Sequence, residues 1–226
     1  MRICLFDIDG TLISSGGAGS SAFEAALEAE FGIDITDHQV PYSGRTDRAI
    51  IGDMFSLYNV ENTVDNWQRF HRAYLGLLPG SLESHDGTVL PGVANLLTLL
   101  ASRNDVAIGL LTGNMIEGAR LKLGYYGIAD FFEFGGYGDR HLDRNDVAQE
   151  AIDVARDKLG DQFQAELVWV VGDTPLDISC ARSVDAKVVA VATGLHDARQ
   201  LTAASPDMVL SDLTEQELFL DAVLGL

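Results

Sequence analysis

At 226 residues, with 47% hydrophobic residues and a formal charge of -19, the chain suffices for one large domain or two modest ones and is too apolar for a disordered segment. A surface this acidic repels nucleic acid and anionic membranes, so neither is expected as a partner. It repels phosphate substrates as well, so any phosphate site must build its own positive potential from a metal, backbone N–H groups and a few arginines; lysine occurs only at positions 122, 158 and 187.

The chain opens with a short apolar run, Ile3–Phe6, that ends at Asp7. No charged leader precedes it and no apolar run reaches membrane-spanning length, so a soluble, cytoplasmic protein is expected. After the glycine-serine stretch at 14–19 come three apolar stripes at helical spacing. Phe23, Leu27 and Phe31 form the first, Ile50, Met54 and Tyr58 the second, and Trp67, Phe70, Tyr74, Leu77 and Leu78 the third. Pro79–Gly87 reads as a hinge. Beyond it, the runs Val106–Leu111, Leu167–Val171, Val188–Ala192 and Met208–Leu210 do not alternate, as is typical of strands buried on both faces. Helical patterns separate them at Pro91–Arg103, Asn114–Leu123, Asp146–Leu159, Pro175–Val184 and Thr214–Leu224. Strand–helix alternation predicts an α/β protein with a doubly wound, Rossmann-like parallel sheet. Residues 1–15 and 86–226 are expected to form this core, and 16–85 an inserted all-helical cap. Cys4 and Cys180 fall in apolar or helical segments and read as buried, unpaired thiols.

Open parallel sheets bind ligands beyond the carboxyl ends of their strands, and this rule sorts the polar residues. Asp7 and Asp9 follow the first strand, in Asp7-Ile8-Asp9-Gly10-Thr11. Thr112, Gly113 and Asn114 follow the second, where a hydroxyl and backbone N–H groups at a helix start suit phosphate oxygens; Asn114 with Glu117 also reads as a plain N-cap pair. Asp173 closes a third buried strand. Asp177 sits behind Thr174 and Pro175 in a capping-box pattern. Four acids meeting at one sheet edge are costly unless a cation sits among them, which points to Mg2+ and phosphate chemistry. Arg144, just before a helix expected to be capped by Asp146, falls on the same edge, with Arg140 as a competitor. Arg45 opens a helix of the insert, from which it could reach an anionic substrate; Thr46 or Asp47 beside it could equally be a simple cap.

The ordered set Asp7-Ile8-Asp9-Gly10-Thr11, Leu111-Thr112-Gly113-Asn114 and Gly172-Asp173-Thr174-Pro175-Leu176-Asp177 resembles the haloacid dehalogenase-like (HAD) hydrolase superfamily. The helical insert after the first motif is similar to that of its phosphoglycolate phosphatase and β-phosphoglucomutase branch. The resemblance implies Asp7 as nucleophile and Asp9 as general acid and base; from their positions, Thr112 is expected as a catalytic support, and Gly113, Asn114 and Arg45 as substrate contacts. It implies Mg2+ held by Asp7, the Asp9 main-chain carbonyl and Asp173, with Asp177 supporting the metal's waters. The family usually places a lysine before the helix that precedes the last motif; here Arg144 takes that place. The implied activity is a phosphatase acting on a small phosphorylated metabolite. A sugar phosphomutase on the same core, or a catalytically impaired phosphate or metal binder, remain alternatives.

Overall fold

The computed structural model describes residues 1–35 and 40–225. Residues 36–39 of the expected insert, His38 among them, lie outside that description. Six parallel strands form the main sheet: β1 (Arg2–Phe6), β4 (Val106–Leu111), β5 (Gly135–Gly136), β6 (Val168–Gly172), β7 (Lys187–Val191) and β8 (Met208–Leu210), in the order β5-β4-β1-β6-β7-β8. β1 is central, pairing Phe6 with Leu110 on one side and with Val171 on the other. The chain leaves β1 first for β4 and later for β6, which makes the end of β1 the switch point of the sheet.

The helices explain why the strands read as continuous apolar runs. α4 (Val93–Ala101), α5 (Ile116–Tyr125) and α9 (Gln216–Leu224) bury one sheet face, in a cluster that includes Phe6, Leu97, Leu123 and Phe219. α6 (Arg144–Leu159), α7 (Pro175–Ser183) and α8 (Ala198–Ala203) bury the other, around Leu5, Val147, Val170 and Ile178. Side chains on both faces therefore leave water, at roughly 25 cal/mol per Å² of apolar area. Cys4 and Cys180 are buried and unpaired, as expected.

The three stripes of the insert become α1 (Ala18–Phe31), α2 (Asp47–Leu57) and α3 (Val64–Ser84). They share a third apolar cluster in which Phe23 packs edge-on against Phe70 and Tyr74. A two-stranded antiparallel ribbon, β2 (Ile13–Ser14) with β3 (Thr88–Val89), brackets these helices. The hinge expected at Pro79–Gly87 is corrected: α3 runs through Pro79 to Ser84, so most of that stretch is helical. Two cap assignments also change. α6 starts at Arg144 with Asp143 as its N-cap, accepting from the Asn145 N–H, rather than starting at Asp146. α5 starts at Ile116 behind Met115, so Asn114 is not its cap. Instead, carboxylates from elsewhere accept from its first N–H groups: Asp47 from Met115 and Asp139 from Ile116, both at 2.8 Å. No helix among the described residues is long and apolar enough to cross a membrane.

Candidate active site

Asp7, Thr112 and Asp173 follow the three adjacent strands β1, β4 and β6 directly, so backbone geometry alone brings them to one edge. Ligand oxygens of Asp7, Asp173 and Asp177 lie within 4.8 Å of one another, and all three residues are buried. Burial is the largest influence on Asp7 and Asp173 and pushes both carboxyls above their ordinary range. For Asp173, repulsion from Asp177 and Asp7 adds to it; for Asp7, Arg144 opposes it and Asp177 adds. Two glycines make room for the cluster. A Cβ at Gly194 or at Gly10 would overlap the Asp173 carboxylate, and Gly10 also holds φ at +85°. Thr11 donates to Asp173 Oδ1 at 3.2 Å, and Thr193 ties the loop by donating to the Gly10 carbonyl at 2.5 Å.

Arg144, the first residue of α6, reaches into this cluster and is itself buried. Its Nη2 lies 2.5 Å from Asp177 Oδ1 and 3.1 Å from Asp7 Oδ2. Burial alone would weaken its hold on its proton, but the Asp177 and Asp7 charges reverse that. Its Nε has no hydrogen-bond partner among the described residues. Arg140, the competitor, is exposed. Asp177 serves two partners at once. Its Oδ2 accepts from the Thr174 N–H and hydroxyl, completing the capping box of α7, while Oδ1 faces Arg144.

Asp9 stands apart from the acidic trio. Its Oδ2 accepts from Lys122 Nζ at 2.6 Å and from Asn114 Nδ2 at 2.9 Å, and Oδ1 from Ser15 at 3.3 Å. Burial raises its pKa, but the Lys122 charge and these hydrogen bonds outweigh burial and leave it below the ordinary carboxylate range. Thr112 is fully buried; its hydroxyl bonds the Asp7 carboxylate and accepts from Asn114 Nδ2 at 2.9 Å. Asn114 thus links Thr112, Asp9 and Lys122, whose Nζ donates to Asn114 Oδ1 at 2.6 Å.

The insert closes over this edge through main-chain contacts. The Asp47 N–H donates to the Gly113 carbonyl at 2.7 Å, and the Arg48 N–H to that of Gly138 at 3.3 Å. A Cβ at Gly113 would overlap the Arg45 carbonyl, so this glycine serves the approach of the two segments. The Arg45 guanidinium bonds Asp53 Oδ2 at 2.6 Å and the Pro41 carbonyl at 3.1 Å, and Thr46 caps α2 by accepting from the Ala49 N–H. Between insert and sheet edge lies a cavity of about 500 Å³, whose lining includes Asp7, Asp9, Arg45, Asn114, Arg144 and Asp173.

Two residues at this site carried no recognised signal in the sequence. Lys122 sits between Leu121 and Leu123 in a helix, yet is 4% exposed and faces Asp9; its rarity in a lysine-poor chain is the one cue. Asp47 looked like a helix cap, but burial pushes its carboxyl up to about 7, against the pull of Lys122 and the Met115 N–H.

The profile of the haloacid dehalogenase-like hydrolases matches residues 4–191. The chain belongs to the haloacid dehalogenase-like hydrolase family. Over 225 residues it is 30% identical to a phosphoglycolate phosphatase of Synechococcus elongatus, covering 95% of this chain and 96% of that one. It is 25% identical to the pyrophosphatase PpaX of Oceanobacillus iheyensis, covering 95% and 94% of the two chains. The structure of CbbY from Rhodobacter sphaeroides in complex with phosphate matches the fold with a TM-score of 0.75 at 16% identity, over 95% of this chain and 96% of that one. Membership in this family of hydrolases agrees with the three motifs and with the sheet that presents them.

Proposed function

We propose that the protein is a Mg2+-dependent phosphatase that cleaves a small phosphorylated metabolite, phosphoglycolate-like or a sugar phosphate, through a phospho-Asp7 intermediate. Residues 16–85 act as the cap over a core of 1–15 and 86–226, and the enzyme works in the cytoplasm. The observation that carries this reading is the buried Asp7–Asp173–Asp177 cluster with Arg144 against it, at the floor of a closed-over cavity.

The donor set fits a hard cation. Three buried carboxylates face one guanidinium, and two of them hold protons more tightly than carboxyls ordinarily do, chiefly because they are buried and, for Asp173, also because Asp177 and Asp7 repel its charge. Asp7, Asp173 and the Asp9 main-chain carbonyl are the assigned ligands. Asp177, with both oxygens engaged by protein donors, orients the metal's waters. Bound there, Mg2+ supplies charge neutralisation for phosphoryl oxygens.

The chain's own groups do the rest. Arg144 fixes Asp7 through Oδ2. An Asp7 oxygen forms the bond to phosphorus as the ester P–O bond breaks, and the electron pair leaves with the ester oxygen. Once the charge of the bound phosphate has raised its proton affinity, Asp9 gives that oxygen a proton, then takes one from the water that cleaves the acyl phosphate and releases inorganic phosphate. Thr112 and Asn114 hold Asp7 and Asp9 in register, and Gly113 seats the cap.

Hydrolysis of p-nitrophenyl phosphate and of a panel of phosphorylated metabolites, with and without Mg2+, tests the reading. Metal-dependent release of free phosphate is expected, and phosphate returned to the substrate would instead mark a phosphomutase. No turnover on any of them would leave a non-catalytic binder. The Asp9→Asn variant is expected to be slower by roughly 10²-fold or more. An unchanged rate would remove Asp9 from proton transfer. Arg45→Ala is expected to raise KM for the natural substrate while an aryl phosphate is little affected, because the guanidinium lies at the cavity wall and not at the sheet edge.

Metal binding should depend on pH with a definite sign. Asp7 and Asp173 have folded pKa values above their unfolded ones. Their contribution to stability is complete below the ordinary carboxylate range and is lost as pH rises through the folded values. A divalent cation restores it. The rise in Tm on adding Mg2+ is therefore expected to be larger at about pH 8.5 than at about pH 5.5, since protons compete for the same oxygens. A Mg2+ shift independent of pH would argue against these two ligands.

A further inference from the structure

Asp47, the first residue of α2, has no place in the phosphoryl-transfer scheme above, yet it is buried and lines the cavity. It crosses the seam between insert and core in both directions. Its N–H donates to the Gly113 carbonyl at 2.7 Å, and its Oδ2 accepts from the Met115 N–H at 2.8 Å. One residue of the insert thereby brackets Asn114, whose own side chain is taken up by Thr112, Asp9 and Lys122. Met115 occupies the N-cap position of α5 and makes no side-chain cap there. The start of α5 therefore depends on borrowed acceptors. Asp139, from the loop after β5, supplies one to the Ile116 N–H, and Asp47 supplies the other from the insert. The exchange runs the other way as well. The Met115 side chain is buried in the apolar cluster of the insert and belongs to neither sheet-face cluster. A carboxylate of the insert thus enters the start of a core helix, while a core side chain enters the insert.

Resting on the proposed phosphatase reading, we infer that Asp47 is a positioning residue: it latches the insert onto the core by capping α5 across the seam, and so holds the cavity wall at residues 42–45 over the acidic cluster. That wall directly precedes Asp47. It is a tight turn, with the Arg45 N–H donating to the Tyr42 carbonyl at 3.2 Å, so it moves with the start of α2. At its tip, Gly44 comes so near the sheet edge that a Cβ there would lie 2.7 Å from Thr174 Oγ1. Opening the seam takes the acceptor from the Met115 N–H and the apolar surroundings from the Met115 side chain together, so the latch breaks as a unit. Burial, the chief influence on Asp47, holds its carboxyl at about 7. A neutral amide of the same shape is therefore tolerated in its place, provided it offers an acceptor oxygen.

Amide hydrogen exchange of the metal-free protein tests the latch without any turnover. In the wild type, the Asp47 and Met115 N–H groups are expected to share one protection factor, below that of the β1 amides, because a single opening frees both. Protection of the pair equal to that of β1 would overturn the latch. Asp47→Ala is expected to speed Met115 exchange by roughly 10-fold or more, and Asp47→Asn, which keeps an acceptor, by no more than about 3-fold. Asp139→Ala is the matched control, since it removes the neighbouring borrowed cap of the same helix from the core side. It is expected to speed exchange at Ile116 and to leave Met115 within about 3-fold of wild type. Equal loosening of Met115 by the two alanine variants would reduce Asp47 to a helix cap and reject the latch. With Mg2+ and 2-phosphoglycolate as the probe substrate, Asp47→Ala is expected to raise KM by roughly 10-fold with kcat little changed, because the closed, binding-competent fraction falls while the closed complex reacts as before. A fall in kcat with KM unchanged would reject the assignment. Should the wild type leave 2-phosphoglycolate intact, that outcome bears on the phosphatase reading, and the exchange pattern still decides the latch.

Discussion

Asp7→Asn is expected to remove Mg2+-dependent phosphatase turnover, with a fall of roughly 10⁴-fold or more, the scale seen when a nucleophile that acts in one unit with its partners is deleted. The amide that replaces the carboxylate is no nucleophile toward phosphorus, while size and shape are kept. The fold should survive the change. The carboxyl is buried beside Asp177, and burial already disfavours its charge, so a neutral side chain relieves repulsion in the metal-free protein. Arg144 retains Asp177 at 2.5 Å as its partner. The expected result is therefore a protein with an equal or higher metal-free Tm, a smaller Mg2+ shift and no release of phosphate. Turnover comparable to wild type would exclude Asp7 as the group that receives the phosphoryl.

Arg144→Ala is expected to damage both stability and activity. Among the described residues the side chain is the one cation in contact with the acidic cluster, and it is buried together with its partners. Its removal strands Asp7 and Asp177 in a low-dielectric site, and breaking such a pair from one side costs about 3–5 kcal/mol. For a chain of this size, that lowers Tm by on the order of 10 °C. Hydrolysis should fall with it, since Asp7 loses the donor that orients Oδ2. Arg140→Ala, at an exposed position, should stay within about 0.5 kcal/mol of wild type. Arg144→Lys is the informative intermediate. A point charge restores neutrality, and since Nη2 alone meets both Asp7 and Asp177, this variant tests whether a lysine ammonium can be held in the same place. Thermal melts and phosphatase assays of the three variants check this, and equal behaviour of the 140 and 144 alanine variants would reject the assignment.

The sheet was legible because its strands are buried on both faces, and a run such as Val168–Val171 has no other plausible home. β5 escaped notice for a physical reason. It consists of Gly135 and Gly136, and α6 lies so close that a Cβ at Gly136 would overlap the Val147 carbonyl. Close approach there demands the absence of the apolar side chains by which strands are recognised. The ribbon β2–β3 is two residues a side, too short for any period to show. At the site, strand-end acids were readable from position alone, whereas Lys122 was not. Its helix places it on a face that is apolar in every other respect, and only the fold reveals that Asp9 lies opposite. The Asn114 cap failed because two acids distant in sequence, Asp47 and Asp139, take over the start of α5. Arg45 kept its place at the cavity but found a closer partner in Asp53.

At two points the joint between the helical insert and the sheet edge is made of peptide groups meeting glycines, at Gly113 and Gly138. Those two contacts do not read side-chain identity. Apart from Asp47, residues that the insert presents to the cavity are therefore free to drift over evolutionary time without loosening the seam, and the same scaffold can be retuned to a new metabolite by changing the lining while the clasp stays as it is.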